Sequence, residues 1–128
     1  MSKDLPRPTN AELEILTVLW SIGPATVREV YDVLQRRRTA QYSTVLKFMQ
    51  IMAEKGLLLR DDNQRAHIYQ ATKTPEWTRR QLAGDLLERA FSGSAKALMV
   101  GALSARRATK AELTELVEFL EEYRKKQK

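Results

Sequence analysis

A mainly α fold with a small β-hairpin is predicted by three features of this 128-residue chain. Apolar residues recur at helical spacing through most of its length. Two short β-prone runs stand together in its middle, Leu57-Leu58-Leu59-Arg60 and Ala66-His67-Ile68-Tyr69-Gln70, around the polar turn Asp61-Asp62-Asn63-Gln64-Arg65. Gly and Pro are few, five and four, and Gly23-Pro24, Gly56 and Gly93 fall where helical patterns stop.

Thr9 or Asn10 is placed to cap a first helix running to about Ser21. Leu13, Leu16 and Trp20 share one face, with Ile15, Leu19 and Ile22 beside them, so this helix should be mostly buried. Gly23-Pro24 ends it. Thr26 begins a second helix, and Glu29 completes a capping box. Val27, Val30, Tyr31 and Leu34 follow the i, i+3, i+4, i+7 template. Gln35 to Gln41 reads as a connection. A third helix, residues 43–55, is expected to start with Ser43 as N-cap, bury Val45, Phe48, Met49 and Met52, and stop at a left-handed Gly56. Three helices and then a hairpin is the order of a winged helix-turn-helix, assigned here to residues 1–73.

Residues 74–128 read differently. Pro75 suits the first turn of a fourth helix reaching about Phe91. Ser92-Gly93-Ser94 breaks it, and Ser94 can cap a fifth helix, Ala95 to about Ala105. Thr109 starts a sixth, with Glu112 as a second capping box, and Arg124-Lys125-Lys126 complements its C-terminal dipole. Apolar residues go most of the way round the fourth helix (Leu82, Ala83, Leu86, Leu87, Ala90, Phe91), more than short helices can cover by themselves. A C-terminal helical dimerisation domain of three helices follows, with Leu86, Leu87, Phe91, Leu98, Leu103, Leu113, Leu116, Val117 and Leu120 as candidate contacts in a homodimer.

The chain is 43% apolar and carries a formal net charge of +6. That balance suits a folded soluble protein with a polyanion partner. There is no Cys, which excludes disulfides and thiolate metal sites and suits a reducing cytoplasm. No apolar run reaches the roughly 20 residues of a membrane span. Met1 to Pro6 lacks the apolar core of a secretory signal.

The charge is unevenly spread. Val33 to Ala53 is a run of 21 residues without Asp or Glu, yet it holds Arg36, Arg37, Arg38 and Lys47. Asp32 and Glu54 close it on either side. A surface that approaches phosphates excludes carboxylates and gathers basic groups, so double-stranded DNA is the expected partner. A helix reads base edges in the major groove from its N-terminal half. Tyr42, Ser43, Thr44, Lys47 and Gln50 are the candidate readers. Lys47 suits guanine acceptors or phosphate, Gln50 has the amide geometry for adenine, and Ser43 and Thr44 bond either. Arg36, Arg37, Arg38 and Gln41 are placed for backbone contacts, and Asn63 with Arg65 for contacts from the wing. Asp61 and Asp62 count against a strongly binding wing.

No catalytic constellation emerges. One His, no Cys and few Gly leave no nucleophile–base pair, phosphate-cradling loop or metal-ligand cluster, so neither an enzyme nor a cofactor or metal is expected. Two other readings remain open: a protein-interaction adaptor on a winged-helix frame, and a ligand-responsive regulator.

Three stretches carry a family resemblance. They are Thr9-Asn10-Ala11-Glu12-Leu13-Glu14-Ile15-Leu16 with Val18-Leu19-Trp20; Tyr42-Ser43-Thr44-Val45 leading to Glu54-Lys55-Gly56-Leu57-Leu58; and Phe91-Ser92-Gly93-Ser94 with Leu98, Leu103 and the last Glu- and Leu-rich helix. In order and spacing they resemble the BlaI/MecI/CopY, or penicillinase repressor, family over nearly the whole chain. The resemblance implies a winged-helix repressor of palindromic operators, dimerised through C-terminal helices, controlling β-lactam resistance or copper-handling genes. It favours Ser43, Thr44 and Lys47 as DNA contacts, with Tyr42 and Arg65 behind them. It also implies a regulatory protease as partner, typically cutting an Asn-Phe bond. Here the phenylalanines follow Lys47, Ala90 and Glu118, so that bond is absent, as are the cysteines of the copper-responsive branch. Ile51-Met52 stands where many members carry Arg-Leu late in the third helix.

Overall fold

The computed structural model describes residues 7–127, so the Met1 to Pro6 segment considered above lies outside it. The element order is α1 (Asn10–Ile22), α2 (Val27–Gln35), α3 (Tyr42–Lys55), β1 (Leu58–Asp61), β2 (Ile68–Ala71), α4 (Pro75–Ala90), α5 (Ala95–Ala105) and α6 (Lys110–Lys126). The chain divides within α4 into two compact units, residues 1–83 and 84–128.

The first unit is a three-helix core with a two-stranded antiparallel hairpin. Thr9 caps α1, and Thr26 caps α2. Each accepts from the N–H of a Glu three residues on, Glu12 or Glu29, which returns its carboxylate to the cap N–H. The core gathers Ile15, Leu16, Val18 and Leu19 from α1, Val27, Val30 and Leu34 from α2, and Val45, Met49 and Met52 from α3. Ala25, Leu57, Leu58 and Tyr69 complete it. The buried side of α1 differs from the expected one. Val18 is fully enclosed, Leu13 and Trp20 are only partly buried against the core, and Ile22 is exposed. Trp20 instead donates its indole N–H to the Lys73 carbonyl at 3.0 Å, tying the end of α1 to the connection after β2.

The end of α3 sets the wing. Gly56 adopts φ +89, which a residue without Cβ reaches at no steric cost. Its N–H bonds the Ala53 carbonyl, and that of Leu57 bonds the Met52 carbonyl. This is a Schellman stop, with Leu57 and Met52 both buried beside it. Leu57 is thereby spent on the helix end. The first strand starts one residue later than expected, at Leu58, and pairs Leu58↔Ala71, Leu59↔Gln70, Arg60↔Tyr69 and Asp61↔Ile68. Ala25 adds an unforeseen bridge, exchanging both backbone bonds with Tyr69 at 2.8 and 2.9 Å.

A charged pair with one buried member links two helices of this unit. Glu12 is 2% exposed, accepts from the Thr9 N–H at 3.0 Å, and binds Lys55 Nζ at 2.8 Å. Burial alone would raise its pKa, but the Lys55 and Thr9 hydrogen bonds more than offset this and hold it below the usual 4.5. The pair joins the first turn of α1 to the last turn of α3.

In the second unit, Ser94 caps α5 through the Ala97 N–H, and Thr109 caps α6 through the Glu112 N–H. The expected second capping box is only half made. The Glu112 carboxylate binds the Arg106 guanidinium at 2.9 and 3.0 Å, a charged donor that outcompetes a backbone N–H. Phe91 packs on Gly101, where an added Cβ would sit 3.3 Å from the ring. No residue of α5 or α6 is buried. Of the nine apolar contacts expected for dimerisation, Leu87, Phe91, Leu98 and Leu116 are half-buried, and Leu86, Leu103, Leu113, Val117 and Leu120 are exposed. Phe119 and Tyr123, stacked at 6.0 Å, extend the same surface.

Candidate nucleic-acid interface

The third helix begins one residue earlier than expected. Its N-cap is Gln41, not Ser43, and no side chain caps it. Ser43 is therefore the second helical residue, and its hydroxyl is exposed. The first turn also lacks an acidic residue, whereas α1, α2 and α6 each combine a Thr cap with a Glu in the first turn. A Glu there satisfies the positive end of the helix dipole from within the chain; without one, that end stays available to an outside anion.

The outer face of this helix presents Tyr42, Ser43, Thr44, Lys47 and Gln50, all exposed, with Gln41 just before it. Val45, Met49 and Met52 anchor the opposite face in the core. Leu46 and Phe48 are partly buried against it. The helix is thus held by one side and displayed by the other. Among the described residues, none forms an ion pair with Lys47, Arg36 or Arg65.

The three arginines before α3 do not share one environment. Arg38 is held by Glu14 of α1, with Nη2 2.7 Å from Oε1 and Nε bridging both oxygens at 3.2 and 3.3 Å. The Arg38 hydrogen bond lowers the Glu14 pKa, with added attraction from Arg38 and Arg37. Gln35 Oε1 accepts from the Ala40 N–H at 3.0 Å, fixing the connection. Glu14 is the acid that the linear sequence hides, brought to the basic run from 24 residues upstream. Beneath the connection a cavity of about 300 Å³ opens between Ala11 and Ile15 of α1, Leu34 of α2, and Thr44, Val45 and Phe48 of α3.

The wing neutralises its own acids. Asp61 accepts from the Asn63 N–H at 2.9 Å, an Asx-type turn. Asp62 takes Arg60 Nε at 2.8 Å and lies 2.9 Å from His67 Nδ1. Asn63 and Arg65 are exposed at the tip. The acidic turn is therefore less hostile to phosphate than its sequence implies.

Two residues of α2 escaped sequence reasoning. The Tyr31 and Tyr42 rings meet edge to face, with centroids 5.6 Å apart, and the Arg28 guanidinium lies 5.6 and 6.0 Å from those centroids. The i, i+3 spacing of Arg28 and Tyr31 was the available signal; that Tyr42 would join them depended on the α2–α3 crossing. Among the described residues no group of three His, Cys, Asp or Glu could hold a metal ion, and no helix is long and apolar enough to cross a membrane.

Three packed helices, a hairpin wing and a third helix whose exposed face is free of acids up to Glu54 define a winged-helix protein of the DNA-binding, transcription-regulating class. The sequence profile of the penicillinase repressor family matches residues 8–122, and the chain belongs to that family. It is 35% identical to the transcriptional regulator BlaI of Mycobacterium tuberculosis over 102 residues, covering 75% of this chain and 71% of that one. It is 23% identical to the penicillinase repressor of Bacillus licheniformis over 126 residues, 98% of each chain. An uncharacterised 16.5 kDa protein of Latilactobacillus sakei shares 31% identity over 72 residues, 56% of this chain and 49% of that protein.

Proposed function

We propose that this chain is a homodimeric repressor that binds a palindromic operator by laying α3 in the major groove. Residues 1–73 bind DNA and residues 74–128 form the dimer. The observation that carries this reading is the outer face of α3, which starts without a side-chain cap, is free of acids until Glu54 in its last turn, is exposed and is anchored from behind by core residues. Lys47, Gln50, Ser43, Thr44 and Tyr42 read bases; Arg36, Arg37 and Gln41, with Asn63 and Arg65 of the wing, hold backbone. Arg38 contributes charge to the same edge while its fork is engaged by Glu14. The exposed apolar stripe of α6 supports the dimer, because a face this wide is unusual on a monomer surface. Such a repressor works in the cytoplasm. No Asn-Phe bond occurs in the sequence, so a regulatory protease would have to cut elsewhere.

The test is a pair of titrations. Binding to a duplex from the protein's own promoter should be tighter than binding to a random duplex, and both should weaken steeply with salt. Equal, salt-insensitive affinity for the two would instead fit a protein-interaction adaptor.

A further inference from the structure

The Arg28–Tyr31–Tyr42 cluster joins two residues of α2 to Tyr42 at the start of the outer face of α3. Tyr31 is half-buried against the core and supports Tyr42, which is 39% exposed at the first position of α3. Arg28 lies near both rings, yet its side chain remains 69% exposed. A guanidinium that packs its face on an aromatic ring keeps its in-plane N–H donors for oxygen acceptors, and the rings restrict its rotamers. Its acidic neighbours compete weakly. Asp32 is 3.5 Å from Nε and half-exposed. Glu29 spends its carboxylate on Thr26, at 2.9 Å to the N–H and 3.3 Å to the hydroxyl. Arg28 thus reaches solvent at the junction of α2 and α3, next to the α3 face proposed to read DNA.

Resting on the operator-binding reading above, we infer that Arg28, braced by Tyr31 and Tyr42, is an anchoring site for a backbone phosphate of DNA. Its oxygens take the guanidinium donors, and the two rings hold the guanidinium in place. The site fixes how α3 sits in the groove and carries no sequence information of its own.

The test uses the full chain and two fluorescein-labelled duplexes, one from its own promoter and one of random sequence, titrated across a range of salt. Arg28→Ala should weaken both duplexes by the same factor, about fivefold, and make the slope of log K against log salt shallower by about one. Arg28→Lys should retain the slope. Arg124→Ala removes one positive charge from α6 and should leave the slope as in the wild type. An unchanged slope in Arg28→Ala, or an equal change in Arg124→Ala, overturns the site while leaving operator binding intact. A wild-type protein with no salt-dependent binding to either duplex overturns the operator reading as well. Thermal melts of each variant confirm that the proteins compared are folded.

Discussion

Lys47 and Gln50 leave α3 on the same exposed face, one turn apart, while Met49 between them is fully enclosed. That alternation lets a single helix serve both core and interface, and it gives each side chain a separable consequence. Lys47→Ala should weaken promoter binding by about 1–3 kcal/mol if the ammonium reads a base, and should cost random duplex much less. Equal loss on both duplexes would make it a phosphate contact; no loss on either would remove it from the interface. The exposed and enclosed positions of α3 were legible in the sequence, because helical periodicity alone assigns the two faces. The fate of Arg38 was not, because its partner Glu14 lies on another helix. Tertiary pairing decides which member of a basic run keeps its donors for a ligand, and no local pattern reports it.

Helix ends show the same division. The caps at Thr26 and Ser94 and the stop at Gly56 follow from residue type and spacing, and all three stand. The cap assigned to Ser43 fails: the N-cap is Gln41, two residues earlier, and Tyr42, whose ring meets Tyr31, is already helical. Gly56→Ala should lower stability by about 1–2 kcal/mol, read as a shift in urea midpoint, since Ala is strained at φ +89. The Glu12–Lys55 link between α1 and α3 adds a pH dependence. The folded pKa of Glu12 lies below its unfolded value, so its contribution is complete above about 4.5 and fades as pH falls through the folded pKa. Glu12→Gln should cost about 1–2 kcal/mol at neutral pH and lose less stability than the wild type on acidification. Melting temperatures that fall in parallel with pH for the two proteins would show that the pair carries no such linkage. The Thr9–Glu12 box and the burial of Glu12 against Lys55 were not foreseen, because the sequence offered Thr9 or Asn10 as a cap and the partner lies on another helix.

For the whole chain, the surplus of apolar surface beyond residue 74 was visible in the sequence, since too many Leu, Val and Phe fall on helices too short to enclose them. The structure adds where the surface is densest. Val117 is 53% exposed and Phe119 62% exposed on α6. If the proposed dimer forms through this surface, Val117→Glu should convert it to a monomer at micromolar concentration in sedimentation, without loss of helix content. A variant with the wild-type sedimentation coefficient would place the interface elsewhere.

The bare start of α3 has a thermodynamic consequence. A helix whose first turn lacks both cap and acid is less stable than it could be, and phosphate can supply what the chain withholds. If DNA docks there as proposed, it completes the helix, and binding and local ordering become one equilibrium. Gln41→Asp would complete the helix from within. It should raise the melting temperature of the free protein, by about 0.5–1 kcal/mol in stability, and weaken its grip on any duplex. Amide exchange in the first turn of α3 should slow on DNA binding in the wild type and change little in the variant. Stability and affinity would trade against each other at one backbone position.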